Sequence, residues 1–540
     1  MTWRRARPVS WVRTVVFMLG LLLLVVWQLS LFRADWPDTY ELKASSGILD
    51  HDRFVYFLYY ANLFPVASIK SGRNLGFYFS KASVTPEPSS LEYSADGARR
   101  VLRDEGSTLV MEWGHTIRSG QLLSTYLYLP DAWRLGSPEH AEIRMAHGAL
   151  FIAALSAVYV MSWWAGVPVF GAAFVLLVGS SPFQLYETYS HENVFSWPMT
   201  AFCFMLALAL PLLVKTRIST AYAIAAAIIA GLFAATAAQI RPEPTMVLGG
   251  VAFALLGATS LTRRARCLLV VLLLAVTALG VQAWNMCFDR KFEQAANVVA
   301  RAGGHVLSGA RDQYHTFWAP IWGGLSDFDT THGYAWSDSA ALAYAQPILK
   351  ARYNEDLPWW WGVKGKEDRD RTADDYVDAA RMYYRIPFQT PHFGEVMRDK
   401  VIGDIAREPG WYAGILGRRA RRILTETVQP HITLSRRAAL ALPFSGWLVL
   451  PLAAAAYALR RRDDLKILVF SSTASLPALL VFSGRGTVNY SVYHLCAVAL
   501  VISALVTLGR RQWAGSRSFV TAGARADGDP DASHAGTVGI

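Results

Sequence analysis

Apolar runs that can cross a bilayer alternate with polar segments along this chain. A transmembrane helix needs about 20 mainly apolar residues, and ten runs reach or approach that length. The pattern therefore predicts an all-α, polytopic membrane protein with about ten transmembrane helices. The predicted spans cover residues 11–32, 144–164, 166–179, 194–214, 221–239, 245–260, 267–286, 438–459, 467–482 and 495–508.

Lysines and arginines are concentrated in the short loops between these spans, as at Lys215 and Arg217. With ten spans, these loops all fall on one side, which is the positive-inside pattern. We therefore predict cytoplasmic termini, with both long polar segments, 33–143 and 287–436, outside the cytoplasm. The first span follows a basic N-terminus without a small-residue cleavage site after Phe32, so we expect a retained anchor.

One arginine cluster lies on the opposite side in this topology. Long segments cross the membrane largely regardless of their charge. The segment GWYAGILGRRARRILTETV, residues 410–428, is typical of an amphipathic helix that lies on the membrane surface. The cluster comprises Arg418, Arg419, Arg421, Arg422, Arg436 and Arg437.

The topology divides the chain into six parts. Residues 1–32 form the cytoplasmic N-terminus and first helix, and 33–143 form a first extracytoplasmic loop with an acidic motif and amphipathic helices. Residues 144–286 hold helices 2–7, and 287–436 form a second extracytoplasmic region. Residues 437–509 hold helices 8–10. The tail, 510–540, has almost no large apolar residue, so we expect disorder there.

Composition agrees with the membrane prediction and narrows the class of function. Hydrophobic residues make up 53% of the chain and charged residues only 17%, and the charge is lower than in a typical soluble domain. The net charge of +11 comes from short loops, so it does not indicate nucleic-acid binding. The four cysteines are scattered and show neither metal-ligand spacing nor a disulfide framework.

Candidate chemical groups lie in the predicted outer loops. Asp50 and Asp52 stand just before an aromatic helix predicted over 54–64. A carboxylate at the membrane boundary can act as a general base or hold a divalent cation, and an arginine there can bind a phosphate through two hydrogen bonds. The remaining candidates are Glu187, His191, Glu192, Arg241, Arg485, Tyr490 and His494.

Several of these candidate residues can also have a purely structural role. Asp50 can cap the helix that begins near Asp52. Arg241 and Arg485 can extend to lipid headgroups without binding substrate, and His191 can make an ordinary hydrogen bond. Acids and aromatics also interleave over residues 314–338, a pattern that suits sugar binding, but we slightly favour a folded outer loop that packs its aromatics on the membrane.

Several stretches resemble membrane glycosyltransferases of the GT-C class, which includes protein O-mannosyltransferases and the lipid A aminoarabinose transferase. DHDRFVYFLYYANL after the first span is similar to the acidic-aromatic motif of that class. SSPFQLYETYSHENVFSW is similar to its loop with a second acid, and AGLFAATAAQIRPEP to its Arg-Pro-Glu at a span end. SGRGTVNYSVYH lies where the class often has an Arg-Tyr pair. His51 interrupts the paired acid that many members have.

The resemblance implies a GT-C-like bundle whose donor is a sugar on a polyprenyl phosphate. Asp52 or Asp50 would deprotonate the acceptor, with inversion at the sugar carbon. Glu192 or Glu187, with His191, would orient the acceptor or share a cation. Arg241 and Arg485, with Tyr490 and His494 beside them, would bind the departing lipid phosphate, whose growing charge needs stabilisation.

The expected setting is a bacterial-type inner (plasma) membrane, with the active site on the extracytoplasmic face. The partners would be the lipid bilayer, the polyprenyl-phosphate sugar and a glycan, lipid or protein acceptor, with no nucleic acid. A divalent cation is possible as a cofactor. Two other functions are considered: an O-antigen-type polymerase or ligase, and a transporter or flippase of a lipid-linked saccharide. A transporter is expected to contain internal repeats and mid-span charges, and the sequence shows neither.

Overall fold

The computed structural model describes a large part of the chain. The described residues are 11–33, 140–181, 184–185, 197–241, 243–301, 318–329, 331–336, 338–354, 392–425, 427–428, 431–433, 438–441, 444–481 and 492–509.

Helices account for most of the described residues, and four short strands accompany them. The helices are α1 (Trp11–Arg33), α2 (His140–Ala165), α3 (Pro168–Gly179), α4 (Trp197–Val214), α5 (Thr220–Ile240), α6 (Leu248–Gly257), α7 (Arg263–Arg301), α8 (Trp318–Leu325), α9 (Asp338–Tyr353), α10 (Phe393–Arg407), α11 (Pro409–Thr425), α12 (Val449–Ala458), α13 (Arg462–Ser472), α14 (Leu476–Leu480) and α15 (Val492–Gly509). The strands are β1 (Thr427–Val428), β2 (His431–Thr433), β3 (Ala438–Ala441) and β4 (Phe444–Ser445), and 3₁₀ turns cover Glu243–Val247, Gly446–Leu448 and Thr473–Ser475.

Helices in six parts of the described chain are long and apolar enough to cross a membrane, which makes the chain a helical, multi-pass membrane protein. These spans are Trp11–Leu31, His147–Ala165, Trp197–Val214, Thr220–Ile240, Arg263–Cys287 and Val492–Gly509. Three further apolar helices, Pro168–Gly179, Thr245–Gly257 and Gly446–Ala458, are shorter. The predicted ninth span is divided between α13, a 3₁₀ turn and α14.

Two predicted spans differ from the helices observed. The seventh was predicted to end at residue 286, but α7 continues to Arg301. At 1.5 Å per residue, this adds roughly 22 Å beyond the predicted span. The eighth was predicted over 438–459, but its first residues form β3 and β4. These strands pair antiparallel with β2 and β1, respectively, so helix begins only at Gly446.

Helix α4 lies at the centre of the membrane bundle and contacts α2, α5, α6 and α13. Beside it, α5 and α7 approach closely because both carry small residues. A Cβ on Gly231 of α5 would lie 3.0 Å from the Leu273 carbonyl oxygen of α7. A Cβ on Gly280 of α7 would lie 2.7 Å from the Ala235 Cβ of α5. Small residues allow such close backbone approach in membranes.

Basic residues from distant parts of the chain meet at one end of the bundle, which we call the basic end. The Lys215 ammonium lies 4.1 Å from the centroid of a Trp164 ring, and Lys466 donates to the Leu213 carbonyl oxygen at 2.8 Å. The Ile218 backbone N–H donates to Ser260 Oγ at 3.1 Å. These contacts bring together the loops that carry the positive-inside signal.

Helices α8 to α11 form a second layer with its own apolar core, which we call the outer layer. Trp322, Tyr334, Leu349 and Met397 are buried there, and Ile415 of α11 packs against them. Helix α11 also contacts α14 and the 3₁₀ turn before α12. It therefore joins the outer layer to the membrane bundle.

Candidate functional site

Most of the predicted site residues lie outside the described residues. This group comprises Asp50, Asp52, Glu187, His191, Glu192, Arg485 and Tyr490. Arg241 and His494 are described, and the helices that flank the undescribed loops are described as well.

The two acid-bearing loops leave the bundle from neighbouring positions. Leu31, at the end of α1, packs against Leu185, which directly precedes the second acidic loop. At the other end of both loops, the ring centroids of His147 and Trp197 lie 5.9 Å apart. Each loop is therefore anchored beside the other at both of its ends. We call this place, formed by the ends of α1 and α3 and the beginnings of α2 and α4, the loop corner.

Buried polar side chains are concentrated in the loop corner. Five of them are fully buried: Gln28, His147, Ser180, Gln184 and Thr200. Gln28 Nε2 donates to the Gly179 carbonyl oxygen at 3.0 Å. Polar groups are costly at membrane depth, so their concentration marks a candidate functional region.

Gly179 makes the contact between α1 and α3 possible. A Cβ at this position would lie 2.5 Å from Gln28 Nε2 and 3.1 Å from the Trp27 ring. Gln28, His147 and Gln184 are not among the residues predicted from sequence. The available signal was a glutamine near the end of a mainly apolar first span.

Arg241 ends α5, and its backbone N–H donates to the Ala237 carbonyl oxygen at 2.8 Å. The chain then turns through Glu243–Val247, which contacts the 3₁₀ turn Thr473–Ser475 and α14. The half-buried Arg241 therefore lies at the end of the bundle away from the basic end. This is the end where the sequence places the loop of Arg485.

His494 is fully buried near the start of α15. Its Nε2 donates to the Ile423 carbonyl oxygen of α11 at 2.9 Å. Gly446 packs against this contact between His494 and α11. A Cβ at position 446 would lie 2.6 Å from His494 Nε2 and 2.7 Å from the Ile423 and Leu424 carbonyl oxygens. This contact gives His494 a structural role in seating α11, next to the phosphate role predicted from sequence.

The acids and aromatics around residue 330 form a structural network. Asp329 accepts hydrogen bonds from the backbone N–H groups of Thr331, His332 and Tyr334 and from Trp411 Nε1. Burial alone raises the pKa of Asp329, but these hydrogen bonds outweigh that effect and lower the pKa to about 2. The carboxylate is thus held ionised and fully engaged, which favours the packing interpretation of this segment over sugar binding.

Asp404 is the second buried carboxylate of the outer layer. It accepts a hydrogen bond from the Tyr334 hydroxyl at 2.8 Å and pairs with Lys400 at 2.9 Å and Arg407 at 2.8 Å. Burial opposes ionisation, but these partners lower the pKa of Asp404 below its usual value. Asp404 therefore also has a structural role.

Helix α11 is amphipathic, as expected from sequence, but its buried face packs against protein. Its buried positions are Ile415, Arg419 and Ile423, which recur at a spacing of four and face protein. Arg418 and Arg421 are exposed. Arg419 Nη1 donates to the Leu479 and Leu480 carbonyl oxygens of α14 at 3.2 and 3.1 Å. Arg419 was predicted to belong to a surface cluster, although its position between two isoleucines of a helical stripe indicates burial.

Among the residues that the structure describes, no group of three or more His, Cys, Asp or Glu side chains is placed to hold a metal ion. The carboxylates considered for a shared cation, at positions 50, 52, 187 and 192, lie outside that part of the chain. The described cysteines are free.

No protein-family model matches this chain, and comparisons with curated proteins and with solved structures give no significant match.

Proposed function

We propose that this protein is a membrane glycosyltransferase that moves a sugar from a polyprenyl-phosphate donor to an acceptor on the extracytoplasmic side. The resemblance to the GT-C class supplies the reaction type and the inversion at the sugar carbon. The ten-span topology predicted from sequence supplies the side of the membrane on which it would take place.

The loop corner is the observation that supports this proposal best. Leu31 packs on Leu185, and His147 contacts Trp197, so the loops with Asp50, Asp52 and residues 187–192 are anchored side by side. A transfer reaction needs a base beside the acceptor and groups that orient the acceptor. Two loops whose ends are adjacent are able to place the base and the orienting groups in one cavity.

Charge is distributed between the two ends of the bundle in the way this reaction needs. The basic end gathers Lys215 and Lys466, as expected for a cytoplasmic surface. The opposite end carries the loop corner and Arg241. There, Asp52 or Asp50 would take the acceptor proton, and Arg241 with Arg485 would bind the phosphate that leaves with the lipid. Stabilisation of the phosphate charge that develops in the transition state is expected to be the largest catalytic contribution.

An O-antigen-type polymerase or ligase is the second candidate. It would also act outside the cytoplasm and use arginines in outer loops, so the position of Arg241 fits it as well. The acidic motif after the first span favours the transferase. A flippase is the third candidate, and the acids that the predicted topology places at one end suit one-sided chemistry better than alternating access.

The test is a donor-consumption assay with the purified full-length protein in proteoliposomes. A panel of polyprenyl-phosphate sugars is supplied with mixed acceptors, and free polyprenyl phosphate and the glycosylated product are quantified together. A transferase releases one lipid phosphate per sugar transferred, and the anomeric configuration of the product is inverted. A ligase or polymerase would instead consume only an oligosaccharide-bearing lipid.

A parallel assay follows movement of labelled donor between the leaflets in the absence of acceptor. Transbilayer movement without release of lipid phosphate would replace the proposal with a flippase. Absence of release with every donor and acceptor would remove the transferase proposal.

A further inference from the structure

Arg419 is a buried arginine with only part of its hydrogen-bonding capacity in use. Its side chain has no exposed surface, and Nη1 donates to the Leu479 and Leu480 carbonyl oxygens. Within the part of the chain that the structure describes, Nε and Nη2 are buried without a hydrogen-bond partner.

The two nitrogens without partners are adjacent donors of one guanidinium group. The Nε–H bond and one Nη2–H bond are parallel. This geometry allows them to donate two hydrogen bonds to two oxygens of one carboxylate or phosphate. Nη1 already holds α11 against the end of α14. The Nε–Nη2 edge of Arg419, which can donate two parallel hydrogen bonds, therefore points into the protein interior. Its position is fixed because α11 is packed against α14.

This arrangement is costly unless an anion completes it. An uncompensated buried charge is strongly destabilising, and burial lowers the pKa of Arg419. Asp327 opposes that shift by electrostatic attraction, but the described residues include no carboxylate in salt-bridge contact with Arg419. The charge is therefore without a close counter-ion from those residues.

The position of the edge favours a phosphoryl anion. Helix α11 packs against α14 and receives His494 at the start of α15, so it lies at the ends of spans, where lipid phosphates are found. The exposed Arg418 on the same helix adds a positive potential that attracts anionic headgroups. Both nitrogens are inaccessible to water, so an anion has to displace neighbouring side chains to reach them.

We infer that the Nε–Nη2 edge of Arg419 is a binding site for a phosphoryl group at the outer face of the bundle. The chemistry is shared by the headgroup of an anionic phospholipid and by free phosphate. The site is separate from the donor-phosphate role assigned to Arg241 and Arg485, and it does not depend on transferase activity.

The test measures phosphatidylglycerol binding to the full-length protein, by native mass spectrometry and by the shift in thermal midpoint. Arg419→Met removes the charge and keeps an apolar side chain of similar length. Arg419→Lys keeps the charge but lacks the bidentate edge. Arg421→Met is the matched control, since it removes an exposed arginine two residues away. Inorganic phosphate is titrated in a separate arm.

We expect the wild type to bind phosphatidylglycerol saturably and Arg419→Met to bind it roughly 10- to 100-fold more weakly. The affinity of Arg419→Lys should lie between these two. The affinity of Arg421→Met should equal that of the wild type. Without lipid, Arg419→Met is expected to be about as stable as the wild type, because an uncompensated charge has been removed. Saturation by inorganic phosphate that Arg419→Met abolishes would support the site and identify a soluble source.

Two results would overturn the inference. One is the absence of saturable binding of either probe to the wild type. The other is equal binding by the wild type and Arg419→Met. If Arg419→Met does not fold, the comparison of Arg419→Lys with the wild type tests the inference instead. Binding by Arg419→Lys that is as tight as binding by the wild type would exclude the bidentate edge as the site.

Discussion

Asp329 shows how the surroundings of a carboxylate determine its role. Its side chain is 1% exposed and forms hydrogen bonds with three backbone N–H groups and an indole. A carboxylate held in this way is acceptor-only and has no proton to give at neutral pH. The sequence shows acids beside aromatics, but it does not show that the chain folds back so that Trp411 reaches Asp329 from 82 residues away.

The low pKa of Asp329 predicts acid sensitivity of the outer layer. Its folded-state pKa, about 2, lies below the unfolded value of about 3.9. The stabilisation is therefore fully present above about pH 4, and about 2 kcal/mol of it is lost as the pH falls to 2. Urea unfolding of the full-length protein, followed by tryptophan fluorescence between pH 2 and 6, measures the loss.

Asp329→Asn should lower the free energy of unfolding at pH 6 by about 1–3 kcal/mol, since an amide donor replaces an acceptor facing N–H groups. It should also flatten the slope between pH 2 and 4. Asp399→Asn, at an exposed carboxylate of the same layer, is the control and should change neither. Wild-type stability in Asp329→Asn at pH 6 would show that the network is not stabilising.

At the scale of elements, hydropathy predicted where the apolar helices lie better than where they end. Helix α7 runs past residue 286 to Arg301, because its polar continuation still favours helix once the span has nucleated it. Ala438–Ala441 and Phe444–Ser445 are mainly apolar but form strands, because β3 and β4 pair with β2 and β1. Pro443 and Gly446 were the local signals against helix there, and a window average of hydropathy hides them.

The junction of α11 with the membrane bundle gives an element-scale prediction. Gly446→Ala places a Cβ 2.6 Å from His494 Nε2 and 2.7 Å from two carbonyl oxygens of α11. We expect a loss of about 1–3 kcal/mol of stability, as for other overpacked sites, and faster hydrogen exchange in α11. Both changes are measurable with the full-length protein.

Gly417→Ala provides the control within α11 itself. Gly417 is exposed, and no atom lies within 4 Å of its Cβ position. Alanine favours helix over glycine by about 1 kcal/mol, so this variant should be neutral or slightly more stable. If Gly446→Ala behaved like Gly417→Ala, the close contact with His494 would be wrong.

At the scale of the whole molecule, the charge pattern predicted one basic end, and the contacts of Lys215 and Lys466 place those loops together. The loop corner was not predictable from the sequence, because it depends on which helix ends become neighbours. The contact of Leu31 with Leu185 joins positions 154 residues apart, and no local pattern encodes it. Whether Asp50 or Asp52 is nearer the reacting atoms likewise depends on tertiary contacts.

Two-sided cysteine labelling tests the orientation of the molecule. In a variant without the four native cysteines, Ala351→Cys places a thiol at an exposed position of α9, and Thr259→Cys places one at an exposed position in the turn before α7. A membrane-impermeant maleimide should label residue 351 only from outside and residue 259 only from the cytoplasm. Labelling of residue 351 from the cytoplasm alone would contradict the ten-span topology and the shared outer site.

The most direct measurement of the central claim compares transfer by the wild type, Asp52→Asn and Asp50→Asn in the same proteoliposomes. A hydroxyl acceptor needs a carboxylate within hydrogen-bond reach, and asparagine keeps the size and polarity of aspartate without its charge. The account predicts that Asp52→Asn inserts and unfolds like the wild type but transfers sugar several powers of ten more slowly, roughly the contribution of general-base catalysis. Asp50→Asn should be milder unless the two acids share a cation. Near-wild-type transfer by Asp52→Asn would contradict the assignment of Asp52, and unimpaired transfer by the double variant would contradict the carboxylate mechanism as a whole.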